Sequence, residues 1–260
     1  TSVIVDAASP PGGLAGRSAH ASTLAMEVTS GRRPLVVNCG SGAPFGTEWR
    51  RAGRATPSHS TLGIDGVSSS RFGTGTGEVL EERAAVLTLR QQATPEGAAV
   101  HAAHDGWALT HGLTHARELA LSSDGRHIDG ADTLISLNPK GKGRFERVLT
   151  GTGLQGVAFS IRFHLHPDTD STLDMGGNAI SIALKSGEIW VFRHDSRAKL
   201  ALEPSVYLEL GRLKPRATKQ IVLSGHAAQI ETRIGWTLAK AQDTPLAIRD
   251  LDRDDTPVPL

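Results

Sequence analysis

Hydrophobic and polar positions alternate with a period of two along most of the chain. The stretches "STLAMEV", "PLVVNCG", "HSTLGIDG", "AAVLTLRQQ", "THARELALS", "FSIRFHLHP", "NAISIALKSGEIWVFRH", "TKQIVLSG" and "TRIGWTLAK" follow this rule, and Gly, Pro, Asp or Asn bounds them. In a strand that period sends alternate side chains to opposite faces, so each stretch predicts a strand with one face on a core. No long helix is predicted. A Ser-Gly break in "ALKSGEIWVF" and Asp124-Gly125 in "LSSDGRHIDG" read as hairpin turns. The pattern as a whole predicts an all-β fold, a large antiparallel β-sandwich. The Gly-rich, Arg-bearing segments 40–58, 66–78 and 139–156 read as loops, the places where binding sites are most often built.

At 260 residues the chain suffices for one such domain, expected to cover 1–260 with 241–260 as an extended tail. A formal charge of +1 supplies no global field, so no nucleic-acid partner is expected; Arg50, Arg51 and Arg54 still form a local cluster that suits an acidic ligand. The lone Cys39 excludes an internal disulfide framework. No apolar run approaches the roughly 20 residues of a membrane span.

Chemistry enters with eleven histidines, several beside turns. His20 and His59 each stand immediately before a strand pattern, where side chains from separate strands converge at a sheet end. Two neutral imidazoles and an oxygen donor there suit zinc or a similar ion; hydrogen-bonded histidines tying strand ends together are the plainer reading. In "FSIRFHLHP" the pleat puts Phe159, Ile161, Phe163 and Leu165 on one face and Ser160, Arg162, His164 and His166 on the other. That polar row is either a solvated sheet face or the lining of a groove in which Arg162 forks onto a sugar carboxylate. "AAHDGWALTHGLTHARELAL" puts His104, Asp105, Trp107, His111, His115 and Arg117 around one turn, either as a hairpin that Asp105 caps and Trp107 packs, or as a platform where a sugar stacks on Trp107 and Arg117 meets a charge. No nucleophile elbow, phosphate loop or dinucleotide fingerprint is present.

In order, "AHASTLAMEVTSGRRPLVVNCGSG", "WRRAGRATPSHSTLGIDG", "AHDGW…THARELAL" and "RFHLHP" resemble the β-sandwich domain of bacterial heparinase II/III-like proteins, over roughly residues 15–240. The resemblance implies a helical toroid ahead of this sandwich, an acidic polysaccharide in the cleft between them, and a lyase that cleaves uronic-acid polymers of the heparin or heparan sulfate type by β-elimination. It also implies a bacterial protein, for which periplasm and cytoplasm both fit. The family's first-strand pattern is approximately His-x-His-Ala-Asp; here the catalytic His position is Ser18, and the metal-type His is His20. With Asn38 at the position of a carboxylate and His59 at that of a second imidazole, the implied metal set is His20, Asn38 and His59, for zinc. His20 and His59 are also the candidates for a catalytic part. Contacts to the polysaccharide are expected from Arg54, His104, Trp107, Arg117, Arg162 and His164. The isolated chain is expected to be inactive as a lyase, with a non-catalytic carbohydrate-binding or structural module as the alternative.

Overall fold

The computed structural model describes residues 1–74 and 78–241; the expected tail falls almost wholly outside them. Two antiparallel sheets face each other. One has seven strands, ordered Ser2–Val5, Met26–Ser30, Arg33–Val37, Val157–Leu165, Arg216–Ala227 and Lys199–Tyr207, with Leu62–Ile64 also pairing onto Val157–Leu165. The other has eight, ordered Thr169–Asp174, Ala179–Leu184, Ile189–His194, Glu231–Lys240, His127–Ile135, Leu113–Ser122, Gly97–Trp107 and Val86–Thr94. This is the antiparallel β-sandwich that the alternation predicts, because the apolar face of each sheet is buried only when it meets the other.

Between the sheets lie Phe159, Ile161, Phe163 and Leu165 from the first and Trp190, Phe192, Ile234, Trp236 and Leu238 from the second. Phe163 packs edge-on against Trp236 at 4.7 Å between ring centroids. Both expected hairpins form: Ala183 pairs with Ile189 across the Ser186-Gly187 turn, and Ile128 pairs with Leu121 across Asp124-Gly125, where Gly125 takes φ +66°.

Two segments expected as loops contain helices. Pro139–Gly151 is a 13-residue helix whose first turn is closed by the Asn138 side chain, which accepts from the Gly141 N–H at 2.9 Å. Phe145 is the residue this helix buries. Thr47–Gly53 forms a shorter helix inside the excursion from Asn38 to Leu62. Gly42 lets that helix close down: a β-carbon there would stand 1.8 Å from the Trp49 carbonyl oxygen. The excursion then turns through Thr56–Ser58 and delivers His59 to the sheet end. No helix among the described residues is long and apolar enough to cross a membrane.

Candidate functional site

His20 follows the short helical turn Gly13–Arg17, and His59 follows Thr56–Ser58, so each enters from a loop tied to its own strand. The fold brings the two rings to 5.2 Å between centroids, tilted by 60°. His59 is 3% exposed, and neither of its ring nitrogens has a hydrogen-bond partner. Burial, reinforced by His20 and then His164 and opposed by the nearby Gly53 carbonyl, which is too poorly aligned to make a full hydrogen bond, pushes its pKa down to about 3. His20 is half-buried and shifts the same way, through burial and then Arg54, against the Gly53 carbonyl and Asp6. Both rings are therefore neutral at pH 7, and His59 in particular is a poor base. Ser18, at the position that a catalytic His would occupy, is exposed two residues before His20.

Asn38 is held elsewhere. Its Nδ2 donates to Glu27 Oε1 at 2.9 Å, and its Oδ1 accepts from the Ser60 N–H at 2.8 Å. Among the described residues no group of three or more His, Cys, Asp or Glu is placed to hold a metal ion. Two adjacent imidazoles, one with unpartnered nitrogens, fit part of a zinc site. The third donor is an uncharged amide oxygen already engaged by the backbone, so the residues present do not complete the set and no chemical step is derived through a metal.

Behind this pair, His164 is locked in place. Its Nε2–H donates to the Pro57 carbonyl at 2.9 Å, which leaves Nδ1 to accept from the Ser205 hydroxyl at 2.8 Å. Burial takes its pKa down to about 4, with the Pro57 carbonyl opposing and Arg162 adding to the fall. The Cys39 sulfur lies 3.5 Å from the same Nδ1, and burial pushes the thiol up to about 11.

A second polar cluster is enclosed in the core. The Gly106 N–H donates to His104 Nδ1 (3.1 Å), so His104 Nε2–H points to His115 Nδ1 (3.2 Å), and His115 Nε2–H points to Asp132 Oδ1 (2.7 Å). One backbone donor thereby sets both tautomers. Arg117 meets both oxygens of Asp132 through Nε (2.8 Å) and Nη2 (3.1 Å), and the Trp236 indole N–H donates to Oδ2 at 3.0 Å. The remaining Arg117 nitrogen, Nη1, donates to the Leu24 and Ser60 carbonyls, both at 2.8 Å, joining this cluster to the strand ends behind His20 and His59. Burial raises the Asp132 carboxyl, but Arg117 and His115 outweigh it and hold the group well below the usual carboxylate range.

These placements correct the expected polysaccharide contacts. His104, Trp107, Arg117 and His164 have at most 3% of their surface exposed, and their polar atoms are spent inside the protein. Trp107, for example, donates its indole N–H to the Val67 carbonyl at 2.9 Å. Arg54 is likewise buried, clamping the carbonyls of Ala19, Gly16 and Glu78 while its guanidinium lies 4.7 Å from the Phe72 ring centre. Only Arg162 of that set keeps an accessible side chain, 4.0 Å from Glu203. The residue that sequence reasoning missed is Asp132. Its signal was a lone carboxylate on the same strand face as Ile128 and Leu134, a position that requires a buried cation or donor.

The family model for the heparinase II/III-like C-terminal region matches residues 1–237. The chain belongs to this family. Heparan sulfate lyase HepC from Pedobacter heparinus superposes with a TM-score of 0.69 at 12% identity, over 94% of this chain and 33% of that one. A heparinase III structure gives a TM-score of 0.59 at 12% identity, covering 85% of this chain and 30% of the other. A curated relative, FtsZ-localized protein C of Caulobacter vibrioides (strain NA1000 / CB15N), is 30% identical over 249 residues, 92% of this chain and 41% of that protein. The heparinase II/III-like sandwich thus spans well under half of this relative and about a third of the lyases.

Proposed function

We propose that this sandwich forms one wall of an acidic-polysaccharide cleft in a heparinase II/III-like lyase and leaves proton abstraction to residues outside itself. The observation that carries the reading is the His20–His59 pair: two loops far apart in sequence converge to place a half-open imidazole against a buried one at the sheet end. In β-elimination from a uronic acid, neutralising the carboxylate acidifies the C5 proton, a base removes it, and the 4-linked oxygen departs without water being consumed. Neutral His20 can donate or accept a hydrogen bond to sugar or carboxylate oxygens. Ser18 carries no comparable base, and His59 is too acidic a conjugate pair to act as one near neutrality.

Ser18 and the committed Asn38 favour a second reading, a non-catalytic carbohydrate-binding or structural module. The name of the curated relative, a protein localised with FtsZ, is compatible with it. The test uses the full-length protein with heparin, heparan sulfate and other uronate polymers. Ultraviolet absorbance from unsaturated uronate ends supports the lyase. Calorimetric binding with no such absorbance supports the module, and absence of both overturns the glycan assignment.

A further inference from the structure

The two lateral sides of the sandwich are finished differently. On one, the edge strands Thr169–Asp174 and Lys199–Tyr207 are drawn together: Lys219 Nζ donates to the Ser171 carbonyl at 2.7 Å, Arg216 pairs with Asp168 at 2.8 Å, and Pro204 takes a backbone donor out of the edge. On the other, the edges are Ser2–Val5, only four residues long, and Val86–Thr94. Between these two lies an open apolar cleft of about 490 Å³, lined by Val3, Val5, Val100, Leu121 and Ile128 among others.

Val86–Thr94 lacks the usual protection of an edge. Its bulge sits ahead of Thr88, so 88–94 runs in unbroken register with 97–103. The segment holds no proline, lysine or carboxylate. Among the described residues its backbone groups bond to nothing but that neighbouring strand. Every second residue therefore turns an N–H and a C=O to the open side. Leu89, Gln91 and Ala93 stand on the face that Val100 shares, and Leu89 is 47% exposed. The one charge, Arg90, is on the opposite face.

We infer that 88–94 is a self-pairing edge: two copies of the chain join antiparallel through it, about a two-fold axis at Gln91, and merge their eight-stranded sheets. The segment matches itself in that register. Thr88 meets Thr94, Leu89 meets Ala93, Arg90 meets Gln92, and Gln91 meets Gln91 across the axis. The single cation never faces itself, and each leucine covers an alanine on the cleft side of the sheet. A second copy thus supplies both the missing backbone partners and apolar cover. The rest of this chain is a poorer occupant, because 242–260 has three prolines and its longest run of aliphatic residues is 246–248. A two-fold pairing also closes at two copies, which removes the edge instead of passing it on.

Analytical ultracentrifugation of the whole chain over a range of concentrations tests this, with substitutions at the exposed Gln91. A monomer–dimer equilibrium is expected. Gln91→Lys and Gln91→Glu each set like charges against each other on the axis and should weaken the dimer by about tenfold or more, while far-ultraviolet circular dichroism stays unchanged. An equimolar mixture of the two variants should associate again, because unlike charges then meet. A chain that is monomeric at every concentration, or a mixture of variants that stays monomeric, would overturn the inference. So would an association that both substitutions leave intact, the result expected from a register centred on Leu89 or from another surface. None of these readouts uses lyase activity, so they are independent of the cleft.

Discussion

Arg117 and Asp132 stand directly opposite each other on neighbouring strands and close a two-point ion pair inside the sandwich, with both side chains sealed from water. Every other polar atom around them is also matched, by His115, Trp236 and two backbone carbonyls. Removing one partner leaves a buried charge. Arg117→Met should therefore cost about 3–5 kcal/mol in chemical unfolding, and a second change, Asp132→Leu, should recover part of it. A loss under about 1 kcal/mol, the range of surface pairs, would contradict this account.

The buried imidazoles make stability fall in acid. His59 and His164 have folded pKa values of about 3 and about 4 against an ordinary value of 6.5, and His104 and His115 shift in the same direction. Below that ordinary value the unfolded chain binds more protons than the folded one. Stability is thus complete above about pH 6.5 and declines as pH falls, by about 1.4 kcal/mol per pH unit for each histidine that stays neutral in the fold. Melting temperatures measured from pH 7 to pH 5 should drop, and a flat profile would show that these rings titrate normally.

His59 and His164 are equally buried but should respond differently to removal. His164 is bonded at both nitrogens, whereas His59 is bonded at neither. His164→Leu leaves the Ser205 hydroxyl and Pro57 carbonyl unpaired and should cost about 1–3 kcal/mol. His59 has only the poorly aligned Gly53 carbonyl near its ring, so His59→Leu should cost less than His164→Leu by the same unfolding measurement.

Asn38→Asp puts a carboxylate at the position where the family resemblance implies a ligand, but sets it against Glu27, to which Asn38 now donates. Without metal the two carboxylates repel, and the variant should melt below the wild type. Zinc bound with His20 and His59 would offset that repulsion. The expected result is a melting temperature that zinc raises and a chelator lowers in the variant, with little response in the wild type.

The alternation made the two sheets legible because most strands have one face on the core and the other outward. It was weaker where composition hid the face. Gly97–Trp107 carries five alanines and glycines on its way to His104, and Lys199–Tyr207 has no fully buried residue. The Pro139–Gly151 helix escaped notice because Gly141 and Gly143 dilute its periodicity, although Asn138-Pro139 is a proper helix start. At the site, convergence of His20 and His59 was suggested by strand ends and implied by the family resemblance. Arg117 reads in the sequence as a polysaccharide contact because its partner lies elsewhere in the chain, and only the register of two strands shows that they meet.

Cys39 has one more use. Its thiol is enclosed beside His164 and kept protonated well above neutral pH, while the sequence contains no other cysteine. Alkylating reagents attack the thiolate, so labelling of the native protein must wait for a fluctuation that opens the Asn38–Ser60 region. The rate of modification is then a built-in clock for breathing at the base of the His20–His59 pair, read by mass spectrometry without an introduced probe.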